Sequence, residues 1–528
     1  MRIVKTDVLI VGSGFGAAAP ALRLSRAGHR VIVVEKGPRI DPFRDFRQTQ
    51  DPGYIRWYLK GLSGEGLNVT FAEALGGGSG FYEMVSLRAP SIAFRQLDER
   101  GRRLWPKAID RASLDPWYEL AETMLHVEQI APQDVPKTGL VFARMMRELG
   151  YSCDRARYAV RGCVGSGFCV TGCVFAAKQS LLLNYLPQAE AAGAEIRTGL
   201  EAISIRPLVE VRDVPGRGAL HAIPHRYEVR CRGTEGDGEH VAFRARLVIL
   251  GGGTVGSAAL LLRSKREMPL LSRHVGRHVA FNGSVKAAGM LPERLPDGDL
   301  FTGRSHPGMI SYQFLESHGV TISAVKPLPL QLMAGARLIP DGGDPERDWW
   351  GERHAAFLSQ VRTRLMILYA IGMTLPAARI TVDSEGRPQI QSRVDGALST
   401  YAQSVQQLLE SILRRSGCRP VRADLVGPDG TPYPDLHFFT AHQVGSCRMA
   451  DDPDQGVTDP SGEVFRYPGL YVSDGAAIPS SLAVNSSLTI LANAERIAAA
   501  IVSRHGAVPV IASSSVGAND DSNLATRP

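Results

Sequence analysis

Gly12, Gly14 and Gly16 follow the apolar run Val8–Val11, and such closely spaced glycines let a backbone come up against a pyrophosphate. Glu35 stands 23 residues after Gly12, at the end of a second apolar run, where a carboxylate can accept hydrogen bonds from a ribose diol. Together these residues predict a dinucleotide site. Gly76-Gly77-Gly78-Ser79-Gly80 packs four glycines into five positions, which suits either a surface loop or backbone pressed against a ligand. Beside a dinucleotide site the second reading gains, because a long cofactor needs a second backbone contact. Cys163, Cys169 and Cys173 are separated by five and then three residues. That is not a zinc-finger spacing, and tetrahedral zinc would need a fourth ligand. An iron–sulfur cluster held by three thiolates and a partner is one reading. The plainer one is a tightly folded, glycine-rich loop with buried thiols.

The elements that must position these residues follow from local pattern. Val8–Val11 reads as a strand, the glycines as a tight turn, Ala17–Ala27 as a helix and Val31–Val34 as a second strand. Ala17 occupies the third glycine position, which the motif allows, and Pro20 falls early in the helix. Residues 39–70 read as loop, and 106–150 as largely helical, with Leu114, Tyr118, Ala121 and Leu125 on one face. Lys178–Ala192 reads as an amphipathic helix. A small antiparallel sheet over 200–250 ends in the wholly apolar Leu247–Leu250, as a buried parallel strand should. Gly251–Thr254 and a helix over Val255–Leu262 then make a second strand–glycine–helix unit.

Residues 266–440 have a different texture, with more proline, a loop at Asp341–Pro345 and a helix over Ser399–Arg415. Gly469–Val472 reads as a strand running into a turn with an exposed acid, Asp474. Pro479–Asn485 reads as loop, and Ser486–Ser503 as a helix with Ile490, Ala494, Ile497 and Ile501 on one face. The tail after Gly506 has the composition of a disordered segment.

Composition narrows the classes. The 528 residues are 44% hydrophobic and 21% charged, as in an ordinary soluble protein, and are long enough for two domains. The net charge of +7 is the small difference of 60 bases and 53 acids. The basic clusters Arg100/Arg102/Arg103 and Arg414/Arg415 are short and lack interleaved aromatics, so they read as solvated faces and no nucleic-acid partner is expected. No run approaches the ~20 apolar residues of a membrane span. Seven scattered cysteines fit a reducing compartment, and with no secretory signal ahead of the strand at Asp7 the expected location is the cytoplasm.

Five motifs in order give the chain a resemblance: Gly12-Ser13-Gly14, Gly76–Ser79, Gly251–Leu262, His442-x-x-Gly445-Ser446-Cys447-Arg448-Met449, and Asp474-Gly475-x-x-Ile478-Pro479 continuing to Asn485-x-Ser487-Leu488-Thr489-Ile490. In these the chain resembles the glucose–methanol–choline oxidoreductase family of flavoproteins. The resemblance implies an α/β fold: a Rossmann-like FAD-binding domain assembled from discontinuous segments, and an α+β substrate domain with an antiparallel sheet. Residues 1–105, 175–265 and 441–506 fall to the first, 106–174 and 266–440 to the second, and 507–528 to the tail. It implies FAD contacts at Gly12, Ser13, Gly14, Phe15, Gly16, Glu35, Lys36, Gly77, Gly78, Ser79, Tyr82, Gly252, Asp474, Gly475, Asn485, Ser487, Leu488 and Thr489, and no metal. Two positions depart from the family pattern: Tyr82 stands where many members have Asn, and Ser257-Ala258 replaces a common Ser/Thr-Pro.

The implied reaction is hydride transfer from an alcohol to flavin N5, giving an aldehyde or ketone, with oxygen or another carrier as the final acceptor. His442 would take the hydroxyl proton, since imidazole is the base poised near neutral pH. Asn485 would hold the substrate oxygen, although Asn or Ser486 just before a helix is also a preferred N-cap. The helix from Ser486 would aim its N-terminus at the flavin. The His/Asn pair is similar to that of sterol oxidases and several sugar oxidoreductases. A sugar-like or alicyclic metabolite, such as an aminosugar or natural-product intermediate, is the expected substrate. A sterol oxidase, a lyase with structural FAD, and a non-catalytic or iron–sulfur relay protein are the alternatives.

Overall fold

The apolar run ending at Val11 forms the middle of a seven-stranded sheet. This structure, a computed structural model, describes residues 2–506 except 209–219, 221–222, 236–237, 307, 330–331, 333–334, 341, 345–349, 428–430, 432 and 435. Strands run in the spatial order Glu195–Arg197, Val31–Val34, Arg2–Val11, His240–Leu250, Tyr227–Gly233, Leu200–Pro207, with Leu470–Val472 added to the end of His240–Leu250. The first four strands and Leu470–Val472 are parallel, and the remaining pairs are antiparallel. Leu247–Leu250 are fully buried between Val8–Val11 and Leu470–Val472, which is why that strand carries no polar alternation. The helix Phe15–Arg26 holds Pro20 within its first two turns and buries Ala17–Leu22 against the sheet. A second helix, Gly253–Arg263, follows the second glycine turn.

A separate seven-stranded, wholly antiparallel sheet is built from Ala336–Pro340, Arg419–Leu425, Val285–Met290, Leu365–Gly372, Val320–Ala324, Met309–Ser311 and Asp154–Arg155, in that spatial order. The helix Gly396–Arg415 covers one face of it. Leu398, Ala402, Val405, Leu409, Ile412 and Leu413 make its buried stripe, and the Asp395 carboxylate caps its start by accepting from Leu398 N. The helices Arg111–Met124 and Lys137–Glu148 account for the helical reading of 106–150.

Three local expectations fail. Residues 39–70 are not all loop: Leu59–Gly64 and Leu67–Ala72 form a hairpin, and Leu67–Ala72 pairs in parallel with Phe438–Thr440. Leu67 and Val69 alternate inward, but the hairpin is short and rich in Gly, Ser and Asn, so its period is weak. Lys178–Ala192 is helical only over Tyr185–Ala191. Upstream of that, Leu181 N donates to Ser79 Oγ at 3.2 Å, and Asn184 Oδ1 accepts from Tyr185 N at 2.8 Å, which starts the helix late. Finally, Asp474 is 2% exposed rather than an exposed acid. Asp341, Pro345 and the tail from 507 lie outside the described residues. Among those described, no helix is long and apolar enough to cross a membrane.

Candidate active site

The glycines sort into two groups by what a side chain would meet. A Cβ on Gly12, at φ +93°, would lie 2.4 Å from Gly251 O, and one on Gly16 would lie 2.4 Å from Asp474 Cα. These two are glycine because protein presses on them. A Cβ on Gly14 would touch only Gly77 Cα at 3.9 Å, and Gly78, Gly253 and Gly256 meet nothing within 4 Å. Bare backbone at Gly14 and Gly78 therefore faces open space. The helix that Gly14 opens has no side-chain cap and no acid in its first turn, so its free N–H groups suit an anion.

Ser13 ties this turn to its neighbours. Its Oγ donates to Glu35 Oε2 at 2.6 Å and accepts from Gly76 N at 2.9 Å, so strand end, turn and glycine loop share one hydroxyl. Glu35 Oε1 accepts from Gly37 N at 2.8 Å, and burial raises the pKa of the carboxyl. Lys36 turns away, pairing with Glu73 at 2.8 Å. Phe15 meets Tyr82 edge-on at 5.5 Å, and the Tyr82 hydroxyl donates to Gln179 O. Ser79 Oγ donates to Gly76 O at 2.7 Å.

The buried Asp474 joins the carboxy-terminal motif to the second glycine turn. Its Oδ2 accepts from Gly253 N at 2.7 Å and Ser257 Oγ at 2.5 Å, and its Oδ1 accepts from Ala476 N at 2.8 Å. Burial pushes its pKa up to about 6. Gly252 N donates to Ser257 Oγ, and Gly475 O accepts from Gly445 N at 2.9 Å. Ser487 opens the last helix, Leu488 is fully buried, and Thr489 Oγ1 lies 2.7 Å from the Tyr118 hydroxyl.

His442 lies just past the strand Phe438–Thr440, and two amides converge on its ring. Asn282 Nδ2 is 2.7 Å from Nδ1, and Asn485 Nδ2 is 3.3 Å from Nε2. Asn485 does not cap the helix: Ser486 is the N-cap residue, without a side-chain bond, and the Asn485 amide is turned to the histidine. Its loop is pinned by Thr321 Oγ1 donating to Ala483 O at 2.6 Å and by Trp105 Nε1 donating to Ser480 Oγ at 2.8 Å. Ala483 itself sits at φ +56°, a conformation that non-glycine residues seldom take without support.

Burial pushes His442 down to about 4, so the ring is neutral at physiological pH. A neutral imidazole has one donor and one acceptor nitrogen, so two amide N–H groups cannot both donate to it. One amide must therefore turn its oxygen to the ring. If Asn282 does so, Nδ1–H donates to Asn282 Oδ1, and the Nε2 lone pair, which then accepts from Asn485 Nδ2 at 3.3 Å, is the one a substrate hydroxyl can take over, which is the arrangement of a base. Thr440 Oγ1, 3.0 Å from Asn282 Oδ1 and accepting from His442 N, can serve either orientation because a hydroxyl both donates and accepts. Sequence reading missed Asn282 altogether, since Asn282-Gly283 carries the signature of a turn.

Lys286 and Tyr369 are also absent from the sequence reading. They are cross-strand partners on the antiparallel sheet, with the ammonium 5.5 Å from the ring centre, and Asn282 Nδ2 lies 3.4 Å from the Tyr369 hydroxyl. Lys286 is exposed, yet its pKa is lowered by burial of its charge. The three clustered cysteines carry free thiols in a loop bent at Gly165, Gly167 and Gly172. Among the described residues no three His, Cys, Asp or Glu side chains are arranged to hold a metal.

Known proteins resemble this chain over most of its length. The family models for GMC oxidoreductases match residues 6–280 and 383–494. The cholesterol oxidase of Mycobacterium tuberculosis is 28% identical over 93% of this chain and 90% of its own length. That of Acinetobacter baumannii is 26% identical over 94% of this chain and 95% of its own length. A structure of Aspergillus oryzae formate oxidase superposes with a TM-score of 0.67 at 14% identity, over 96% of this chain and 99% of that one, which speaks for the fold alone. With one model spanning more than half its length, the chain belongs to the GMC oxidoreductase family and is an FAD-dependent enzyme that acts on alcohols.

Proposed function

We propose that His442 is the base that removes the hydroxyl proton of an alcohol substrate, with Asn485 holding the substrate oxygen and Asn282 setting the tautomer of the ring. The observation that carries this is the convergence of two amides on the two nitrogens of one buried, neutral imidazole. With Nδ1–H bound to Asn282, Nε2 is left to accept the proton. Asn485, spared from capping, can donate from Nδ2 to the oxygen whose negative charge grows as that proton leaves. The chemistry that bound FAD supplies is acceptance of a hydride from the carbinol carbon. The residues that would hold it are the Gly12–Gly16 turn, Glu35, Gly77–Ser79 with Tyr82, Gly252, Asp474–Gly475 and Ser487–Thr489. Lys36, committed to Glu73, is the weakest of the assigned contacts. This assignment puts the chain in the His/Asn branch of the family.

For the substrate we infer an alicyclic alcohol, sterols included. The support is similarity over nearly the whole chain to two cholesterol oxidases. A second reading, a sugar-like alcohol, is favoured by Lys286 and by the Tyr369 hydroxyl beside Asn282, because polar side chains next to the histidine want polar partners. Anaerobic flavin spectra against sterol, alicyclic, sugar and aminosugar alcohols decide between them. Bleaching by one class, slowed in His442→Ala, supports both reaction and base. Unchanged bleaching in the variant would sink the role of His442, and a flavin that no alcohol bleaches favours the lyase.

A further inference from the structure

Arg100 and Arg102, which read in the sequence as a solvated basic face, line a cleft of about 460 Å³. Arg273 and Arg277 come to it from a separate turn, and Arg448, from the motif that carries His442, completes a set of five arginines against the three carboxylates of Asp98, Glu99 and Asp454. Asp98 is already committed: it pairs with Arg102 at 2.7 Å and accepts from the backbone N–H groups of Arg100 and Arg102.

Arg448 is the informative member. It is 7% exposed, its Nε donates to Gln455 O at 2.8 Å, and burial lowers its pKa. Among the described residues neither it nor Arg273 or Arg277 forms an ion pair. A buried guanidinium whose neighbouring carboxylate, Asp98, already pairs with Arg102 is costly unless a further anion completes it.

Two histidines complete the lining without adding charge. His274 Nε2 lies 2.8 Å from Asp454 O, an acceptor only, so that nitrogen carries the proton. Its Nδ1 then accepts from His278 Nε2–H at 2.8 Å, and the free Nδ1 of His278 is left as an acceptor. Such an acceptor suits the hydroxyl of a ligand whose anionic end meets the arginines.

We propose that this cleft binds a small molecule bearing a phosphate group. Several guanidiniums in one concavity match the charge and the oxygen geometry of a phosphomonoester, and the volume is that of a metabolite rather than a polymer. The cleft also sits directly behind the catalytic loop. Gly276 N donates to Ser446 O at 2.7 Å, Ala280 exchanges backbone bonds with Val444, and the same stretch ends at Asn282, on the ring of His442.

The test is calorimetric titration of the flavin-loaded enzyme with inorganic phosphate and with a hexose phosphate, using chloride at matched ionic strength as the control. Saturable binding is expected for both probes, weakened about 10-fold or more in Arg277→Ser and in Arg448→Met. Arg277 is exposed, so its variant stays informative if Arg448→Met fails to fold. Arg414→Ser, outside the cleft, should bind as the parent does. Capture on phosphatidylglycerol vesicles that needs Arg277, with no binding of the soluble probes, assigns the phosphate to a lipid headgroup. Absence of saturable binding in every arm, or binding indifferent to Arg277, overturns the proposal.

Discussion

The two halves of the candidate active site are built on opposite principles. At the nucleotide end the shape is made by backbone: Gly12 against Gly251, Gly16 against Asp474, Gly14 opposite Gly77, tied together by hydroxyls such as that of Ser13. At the proposed catalytic end it is made by side chains that meet from distant stretches, Asn282, Thr440, His442 and Asn485. Backbone packing tolerates no added atom, so damage there should be all-or-none. A side-chain network can be altered atom by atom, so damage there should be graded.

Gly12→Ala gives the sharpest break. The new methyl would sit 2.4 Å from Gly251 O at φ +93°, which should cost about 3 kcal/mol or more. Little soluble, flavin-containing protein is expected, read from yield and from the flavin-to-protein absorbance ratio. A normal ratio would erase the contrast between the two ends. His442→Gln comes next: flavin content should be unchanged while the rate of anaerobic bleaching falls by roughly 10²–10⁴-fold.

Asn282→Asp should do less to the rate and more to its pH dependence. In the parent, a His442 pulled down to about 4 keeps its neutral, base-competent form above that pH and loses it as pH falls through it. The acid limb of kcat/KM should therefore lie well below the ordinary histidine value of ~6.5. A carboxylate on Nδ1–H favours the charged ring and should move that limb up by about one unit or more. An unmoved limb would show that Asn282 does not govern the ring. Smallest of all, Lys286→Met should leave flavin content and the pH limb alone and change only the ranking of alcohols by KM. Poorer binding of sugar-like alcohols supports the polar reading, and an unchanged ranking removes Lys286 from substrate recognition.

The same contrast explains what could be read from the sequence. A steric demand on backbone writes itself locally, as glycines behind an apolar run and an acid after the next one, so the strand–turn–helix–strand unit from Val8 to Glu35 was legible. His442 and Asn485 were legible through the motifs around them. Asn282 was not, because its use depends on an antiparallel sheet bringing residue 282 to residue 442, and its local signature says turn. Asp474 shows a further limit. Its turn was placed correctly, but a polar residue among glycines looks exposed until the partners that bury it, Gly253 and Ser257, are known to lie beside it.

Ser473 Oγ donates to Gly16 O at 2.7 Å across 457 residues of chain, and Asp474 packs against the same glycine. At about 5–20 residues per second, a ribosome needs roughly half a minute or more to make the segment that braces the first turn. Until then the first turn lacks this brace and leans on Glu35, Gly76 and Gly251 alone, a long delay for a contact of such sequence separation. Cofactor loading is then expected late in biogenesis, so chains truncated before Leu470 should be recovered colourless in an absorbance spectrum.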